Sequence, residues 1–145
     1  MSITVVNQTG NQVQFNTDSS NIFIFGNRYE KVTFKNLTGG ALTYLAGTVL
    51  GRVSATGQVT EMKSAAADGS QKPIGILTTE ITALAGAGTI EVNMCTQGDV
   101  AEEKVIFNGA NVVTTAVDGR IYRDWLQLAG IKLVAGTEMS DFDNQ

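Results

Sequence analysis

Short bursts of apolar residues set against polar neighbours run the length of this chain. The clearest is Val32 and Phe34 alternating with Lys31, Thr33 and Lys35, the period of two that marks a half-buried strand. Asn36 and the glycines at 39 and 40 then turn the chain, and residues 41–45, 47–53 and 58–62 follow as short strands, the last two separated by a turn at 55–57. Residues 65–71 form a small-residue loop with Asp68 and Gly69 at its centre. Pro73 opens a strand over 73–77, where its missing N–H is tolerated. After a loop through Gly86 and Gly88, residues 89–95 place Ile90, Val92 and Met94 on one face. Gln97 and Gly98 turn the chain back into Val100, and 104–107 predicts a further strand.

One segment has helical spacing. Asp118 is a good N-cap, Gly130 stands where a helix ends at C′, and Ile121, Trp125, Leu128 and Ala129, flanked by Tyr122 and Leu126, supply an apolar stripe. The pattern predicts a helix over 118–129, a last strand over 131–134 and a solvated acidic tail over 137–145 carrying Glu138, Asp141 and Asp143. The fold class that follows is all-β with one short helix, in a main domain over 29–136.

Residues 1–28 differ from the rest. Apolar bursts containing Ile3, Val5, Val13, Phe15, Ile22 and Phe23 are separated by Asn, Gln, Ser and Thr. The pattern suits an extended N-terminal arm whose apolar residues meet an outside surface; it also suits edge strands of the main domain.

Composition narrows the function. Sixteen glycines and a single proline agree with many strands joined by tight turns. At 145 residues the chain can bury roughly 70% of the surface that it exposes unfolded, so no cofactor or disulfide is needed for folding. The net charge of −4 argues against a nucleic-acid partner, since phosphate binding rests on a surplus of Lys and Arg. The charge is uneven. Residues 1–60 hold Arg28, Lys31, Lys35 and Arg52 against Asp18 and Glu30, and the acidic balance falls in the remainder. No apolar run approaches the ~20 residues of a membrane span, and no basic segment with an apolar stretch opens the chain, so synthesis in the cytoplasm is expected.

Candidate chemistry is sparse. The absence of histidine removes Ser-His-Asp and Cys-His arrangements and His-based zinc sites. Cys95 lies in an apolar run where a thiol packs as a small hydrophobe. The glycines at 47 and 51 lack both P-loop and dinucleotide-binding spacing. Asp68 opens nothing like a complete calcium loop. Glu102 and Glu103, adjacent on an expected strand, point to opposite faces and share no substrate. The chain is read as no enzyme.

Residues 46–77, AGTVLGRVSATGQVTEMKSAAADGSQKPIGIL, carry Gly47, Leu50 and Gly51, then Gly57, then Asp68 and Gly69, then Pro73 and Gly75. In this order and spacing they closely resemble the lambda-type head decoration family of tailed phages, and residues 92–98, 105–107 and 123–134 extend the likeness. The resemblance covers roughly 29–134. It implies a compact β-clip or β-tulip core and a non-enzymatic cement protein on the outer surface of the virion. It further implies homotrimers at three-fold and quasi-three-fold positions, clamping the major capsid protein of the expanded capsid against packaged-DNA pressure. The alternative is a β-structured phage tail or surface adhesion module binding a host glycan.

Overall fold

The computed structural model describes residues 22–135. Ile3, Val5, Val13 and Phe15, and the expected acidic tail, lie outside the described residues. The first element, β1 (Phe23–Lys35), is longer than the alternation predicts, because its first half pairs with one neighbour only and needs no second buried face. It begins inside the segment read as an arm, so residues 23–28 belong to a barrel strand.

The strands that follow are β2 (Leu42–Tyr44), β3 (Val49–Arg52), β4 (Val59–Glu61), β5 (Pro73–Leu77), β6 (Ile81–Leu84) and β7 (Thr89–Ala101). A 3₁₀ turn at Glu102–Lys104, the short hairpin β8 (Ala116–Val117) and β9 (Arg120–Ile121), helix α1 (Tyr122–Ala129) and β10 (Ile131–Val134) complete the described chain. In the main sheet the order is β10-β7-β1-β4-β3-β5, and β5 returns to pair with β7 through Ile76 with Cys95, so the sheet closes on itself. Closure removes open edges from those strands. β10 joins outside the closed ring, parallel to β7, with Leu133 opposite Val100. β2 and β6 form a separate two-stranded ribbon.

The central strands break the simple alternation because both faces of their sheet are buried. Val49, Ile76 and Cys95 pack with Ile22, Met62, Val100, Tyr122, Leu126, Ile131 and Leu133 in one core, which α1 covers. Their chain neighbours Leu50, Leu77 and Met94 point the other way, into the barrel, where they meet Val32, Phe34, Tyr44, Val59 and Ile81. Two-sided burial is why Val49-Leu50, Ile76-Leu77 and Met94-Cys95 read as continuous apolar pairs.

Several expectations are corrected. The helix starts at Tyr122, with Ile121 as its N-cap; Asp118 instead sits at φ 52° in the β8–β9 turn, since Arg120 and Ile121 are taken up in pairing with Val117 and Ala116. With only two turns, the helix buries Tyr122 and Leu126, one turn apart. Leu128 is 67% exposed and Trp125 half-buried. Gly130 ends the helix as expected, at φ 116° with its N–H donating to the carbonyls of Leu126 and Gln127. Gln97 and Gly98 do not reverse the chain. β7 runs through them, and Gly98, at φ 111°, forms an irregularity packed against Asn27. The strand over 104–107 reduces to one bridge, Thr48 to Ile106, and Glu102 and Glu103 lie in the 3₁₀ turn rather than on a strand. β6 falls where the sequence predicts a loop.

Candidate functional site

The two ends of the described chain meet at one place. The amide of Ala101 donates to the Ile22 carbonyl at 2.8 Å, and Val134 pairs with Ala101 from the other side. Residues 1–21 and 136–145 therefore join the barrel beside the same residue at the end of β7. Next to them opens a cleft of about 360 Å³ whose lining includes Val105, Phe107, Val112 and Val113 together with Glu102, Glu103 and Ala135. Glu102 is paired with Arg123 of α1, which also donates to the Leu133 carbonyl at 3.4 Å; this ties the 3₁₀ turn, the helix and β10 together. The pair is half-exposed, so its worth is small and falls with salt.

The arm candidates divide. Ile22 does not reach a surface: it is 6% exposed and belongs to the core beneath α1, because its backbone is already held by Ala101. Phe23 is half-buried against the same core and meets Tyr29 edge-on at 6.0 Å. The apolar residues that β1 does present are Ile24 at 39%, Phe25 at 77% and Tyr29 at 53% exposure; the first two belong to the same apolar burst as Ile22 and Phe23 but were not among the expected anchors.

The motif residues prove to be structural. Leu50 is fully buried inside the barrel. Gly51 lies so close to the backbone of Ser70 that a Cβ would be 2.8 Å from its carbonyl carbon, so the absent side chain lets the 64–72 loop press on β3. Gly75 leaves the space that the Met94 side chain fills. Gly47, Gly57 and Gly69 take positive φ at turns, and Pro73 is the first residue of β5, as its chemistry predicts. Asp68 closes its turn by accepting from the Ser70 hydroxyl at 2.6 Å and the Ser70 amide at 3.0 Å; the hydroxyl above all holds its carboxyl below the usual range.

The remaining polar features also support structure rather than reaction chemistry. Cys95 is fully buried, and burial pushes its thiol up, against the opposing effect of its contact with the Gln97 carbonyl at 3.3 Å and with Asn27. A thiol so placed is a poor nucleophile. The Trp125 indole donates to the Val117 carbonyl at 2.9 Å while Lys72 and Arg120 lie over its ring at 5.4 and 5.0 Å. It clamps the β8–β9 hairpin and is not free to stack on a sugar. Among the described residues no three His, Cys, Asp or Glu side chains converge, and no helix is long and apolar enough to cross a membrane.

The model of the family described as bacteriophage lambda head decoration protein D matches residues 27–119, from the Asn27 irregularity of β1 to the turn between β8 and β9. The helix and β10 fall outside the matched residues. No curated protein matches the chain.

Proposed function

Since the chain belongs to the bacteriophage lambda head decoration protein D family, a family of structural phage-head proteins, we propose that it binds the exterior of the expanded capsid as trimers at three-fold and quasi-three-fold sites. There it holds neighbouring major capsid subunits together against the pressure of packaged DNA. A protein that binds the assembled lattice but not its separated subunits stabilises the lattice by mass action, with no catalytic group involved. Three modest contacts on one trimer gain roughly 10² to 10⁴ in avidity over a single contact.

The observation that carries this reading is the shared exit of the chain ends at Ala101. It gives residues 1–21 a starting point beside an open cleft and beside the exposed half of β1. From there Ile3, Val5, Val13 and Phe15 act as anchors on the capsid, with extended backbone able to add to an exposed capsid strand. Ile22, buried in the core, is not among the anchors. Each buried apolar anchor contributes about 1.5–3 kcal/mol before ordering costs.

The test is binding of the purified full chain to expanded, undecorated capsids by sedimentation. A variant carrying Ile3→Asp, Val5→Asp and Phe15→Asp should melt as the wild type does and bind at least tenfold more weakly, about 1.4 kcal/mol. Wild-type protein that does not bind such capsids would refute decoration; unchanged affinity of the triple variant would refute the arm.

A further inference from the structure

The loop beside the cleft contains a peptide step with chemistry of its own. Asn108 is followed by Gly109, the one Asn-Gly pair in the sequence. The pair lies between Phe107 and Asn111, both of which line the cleft together with Glu102 and Glu103. Neither residue of the pair belongs to a helix or strand, and Gly109 is exposed. It takes φ 64° and has nothing within 4 Å of a would-be Cβ, so that side of its backbone is open. Among the described residues no hydrogen bond engages the Gly109 amide or the Asn108 carboxamide. Asn108 is held through its main-chain carbonyl, which accepts from the amide and the carboxamide of Asn111 at 3.3 and 2.8 Å.

Comparable side chains elsewhere are restrained. At Asp68-Gly69 the glycine amide donates to the Gln71 side chain at 2.9 Å and the carboxylate accepts from Ser70. At Asp118-Gly119 the carboxylate is held by Lys72 at 3.8 Å and by the Gln71 carboxamide at 3.4 Å. An ionised carboxylate is in any case a poor electrophile. The Asn36 carboxamide is buried and bonded to Gly40, Leu84, Thr38 and Tyr44. At Asn108 a neutral carboxamide stands free beside a free amide, and the following glycine is the least hindered residue for an attack by its nitrogen.

We propose that Asn108-Gly109 is a self-modification site, which gives the cleft a further carboxylate as the protein ages. The Gly109 amide loses its proton to solvent base and attacks Cγ of Asn108. A bond forms between that nitrogen and Cγ, the Cγ–Nδ2 bond breaks, and the nitrogen departs as ammonia after taking a proton from solvent. Water then opens the resulting succinimide. Addition at Cγ gives aspartate at 108 with the main chain intact; addition at the main-chain carbonyl gives isoaspartate, in which the chain runs through Cβ and Cγ. No oxidant, reductant or cofactor takes part. Either product places a new negative charge next to a cleft already lined by Glu102 and Glu103. In the isoaspartate the carbonyl that accepted from Asn111 becomes a free carboxylate on a lengthened chain, which shifts Asn111, Val112 and Val113 along the cleft wall. The cleft adjoins the point where residues 1–21 join the barrel, so the surface from which they start changes with age.

The test is incubation of the purified, folded full chain at neutral and mildly alkaline pH, followed by peptide mapping with mass spectrometry. Conversion should occur at Asn108 ahead of every other asparagine and faster as pH rises. Heavy oxygen should enter the peptide when the water carries it, and isoaspartate should be among the products. The folded chain should react within about tenfold of its rate in urea, because a loop that needs no opening carries almost no opening cost. Asn108→Gln should stay unmodified, since the longer side chain closes its ring far more slowly. Hydrogen exchange over residues 111–115 should rise in the purified isoaspartate form and stay unchanged in Asn108→Asp. Reaction more than about tenfold slower in the folded chain than in urea, or another asparagine reacting first, would overturn the site. Unchanged exchange over 111–115 in the isoaspartate form would overturn the shift of the cleft wall.

Discussion

Gly51→Ala should be among the most damaging single-methyl additions in this fold. The glycine sits in β3, outside the left-handed region, so no backbone strain accompanies the change and the effect is steric alone. The new Cβ would run into the Ser70 carbonyl oxygen and lie 2.8 Å from its carbon and 2.9 Å from its Cα. These are backbone atoms of a buried residue, locked by the Asp68 turn, and no side-chain rotation relieves them. Overpacking of this kind costs about 2–3 kcal/mol. With an unfolding entropy near 0.3 kcal/mol/K for a chain of this size, the midpoint should fall by roughly 7–10 °C. Differential scanning calorimetry of the wild type, Gly51→Ala and Gly39→Ala measures it. Gly39 has nothing within 4 Å of its would-be Cβ and serves as the control, expected to be neutral or stabilised by up to about 1 kcal/mol. A Gly51→Ala protein melting within about 2 °C of the wild type would refute the close-approach account of this motif glycine.

Leu126→Ala should lose about 2–4 kcal/mol in denaturant unfolding, since Leu126 is wholly buried beneath α1, whereas Leu128→Ala, on an exposed position of the same helix, should stay within about 0.5 kcal/mol. Asp68, whose carboxyl is held below its ordinary value of 3.8, stabilises the fold above that pH and ceases to do so as pH falls through its folded value. The melting difference between wild type and Asp68→Asn should therefore be largest near neutrality and shrink below pH 3.8; a difference that persists at low pH would argue against the Ser70 bonds as its source. Cys95→Ser should leave capsid binding unchanged, because Asn27 and the Gln97 carbonyl can serve a hydroxyl as they serve the thiol, and native Cys95 should react with a thiol reagent only as fast as the protein opens; fast labelling of native protein would contradict its burial.

Much of the fold was legible where chemistry is local. Pro73 and the apolar run after it placed β5, and Gly130 placed the end of the helix and the start of β10. The errors arose where a tertiary partner decided between local options. Asp118 is a good N-cap, yet pairing of β8 with β9 keeps the chain extended until Tyr122. Gln97-Gly98 has turn chemistry, yet Asn27, seventy residues upstream, bonds to the carbonyls around it and keeps β7 continuous. Ile81–Leu84 has too short a pattern to be seen without β2 beside it. Of the candidate site, the motif glycines were correctly singled out, but as a family signature; their reason, close packing against Ser70 and Met94, needed coordinates. Burial of Ile22 and exposure of Phe25 were opaque, because both follow from where β1 leaves the doubly covered part of the sheet.

Closing the barrel through β7 has a consequence for synthesis. The strand that completes the ring is the seventh of the described strands to emerge, and the first of them pairs with it across a long stretch of chain: Phe34 meets Ile90, and Phe23 meets Val100. At about 5–20 residues per second, the apolar side of β1 waits roughly 3–11 s for its partner to leave the ribosome. During that interval Val32 and Phe34 have only the single pairing of Phe34 with Val59 of β4 open to them. Lys31, Thr33 and Lys35, spaced between them, keep the nascent strand charged and polar on alternate positions until β7 arrives, and this interruption of apolar runs is the device by which sequences keep waiting strands from joining one another.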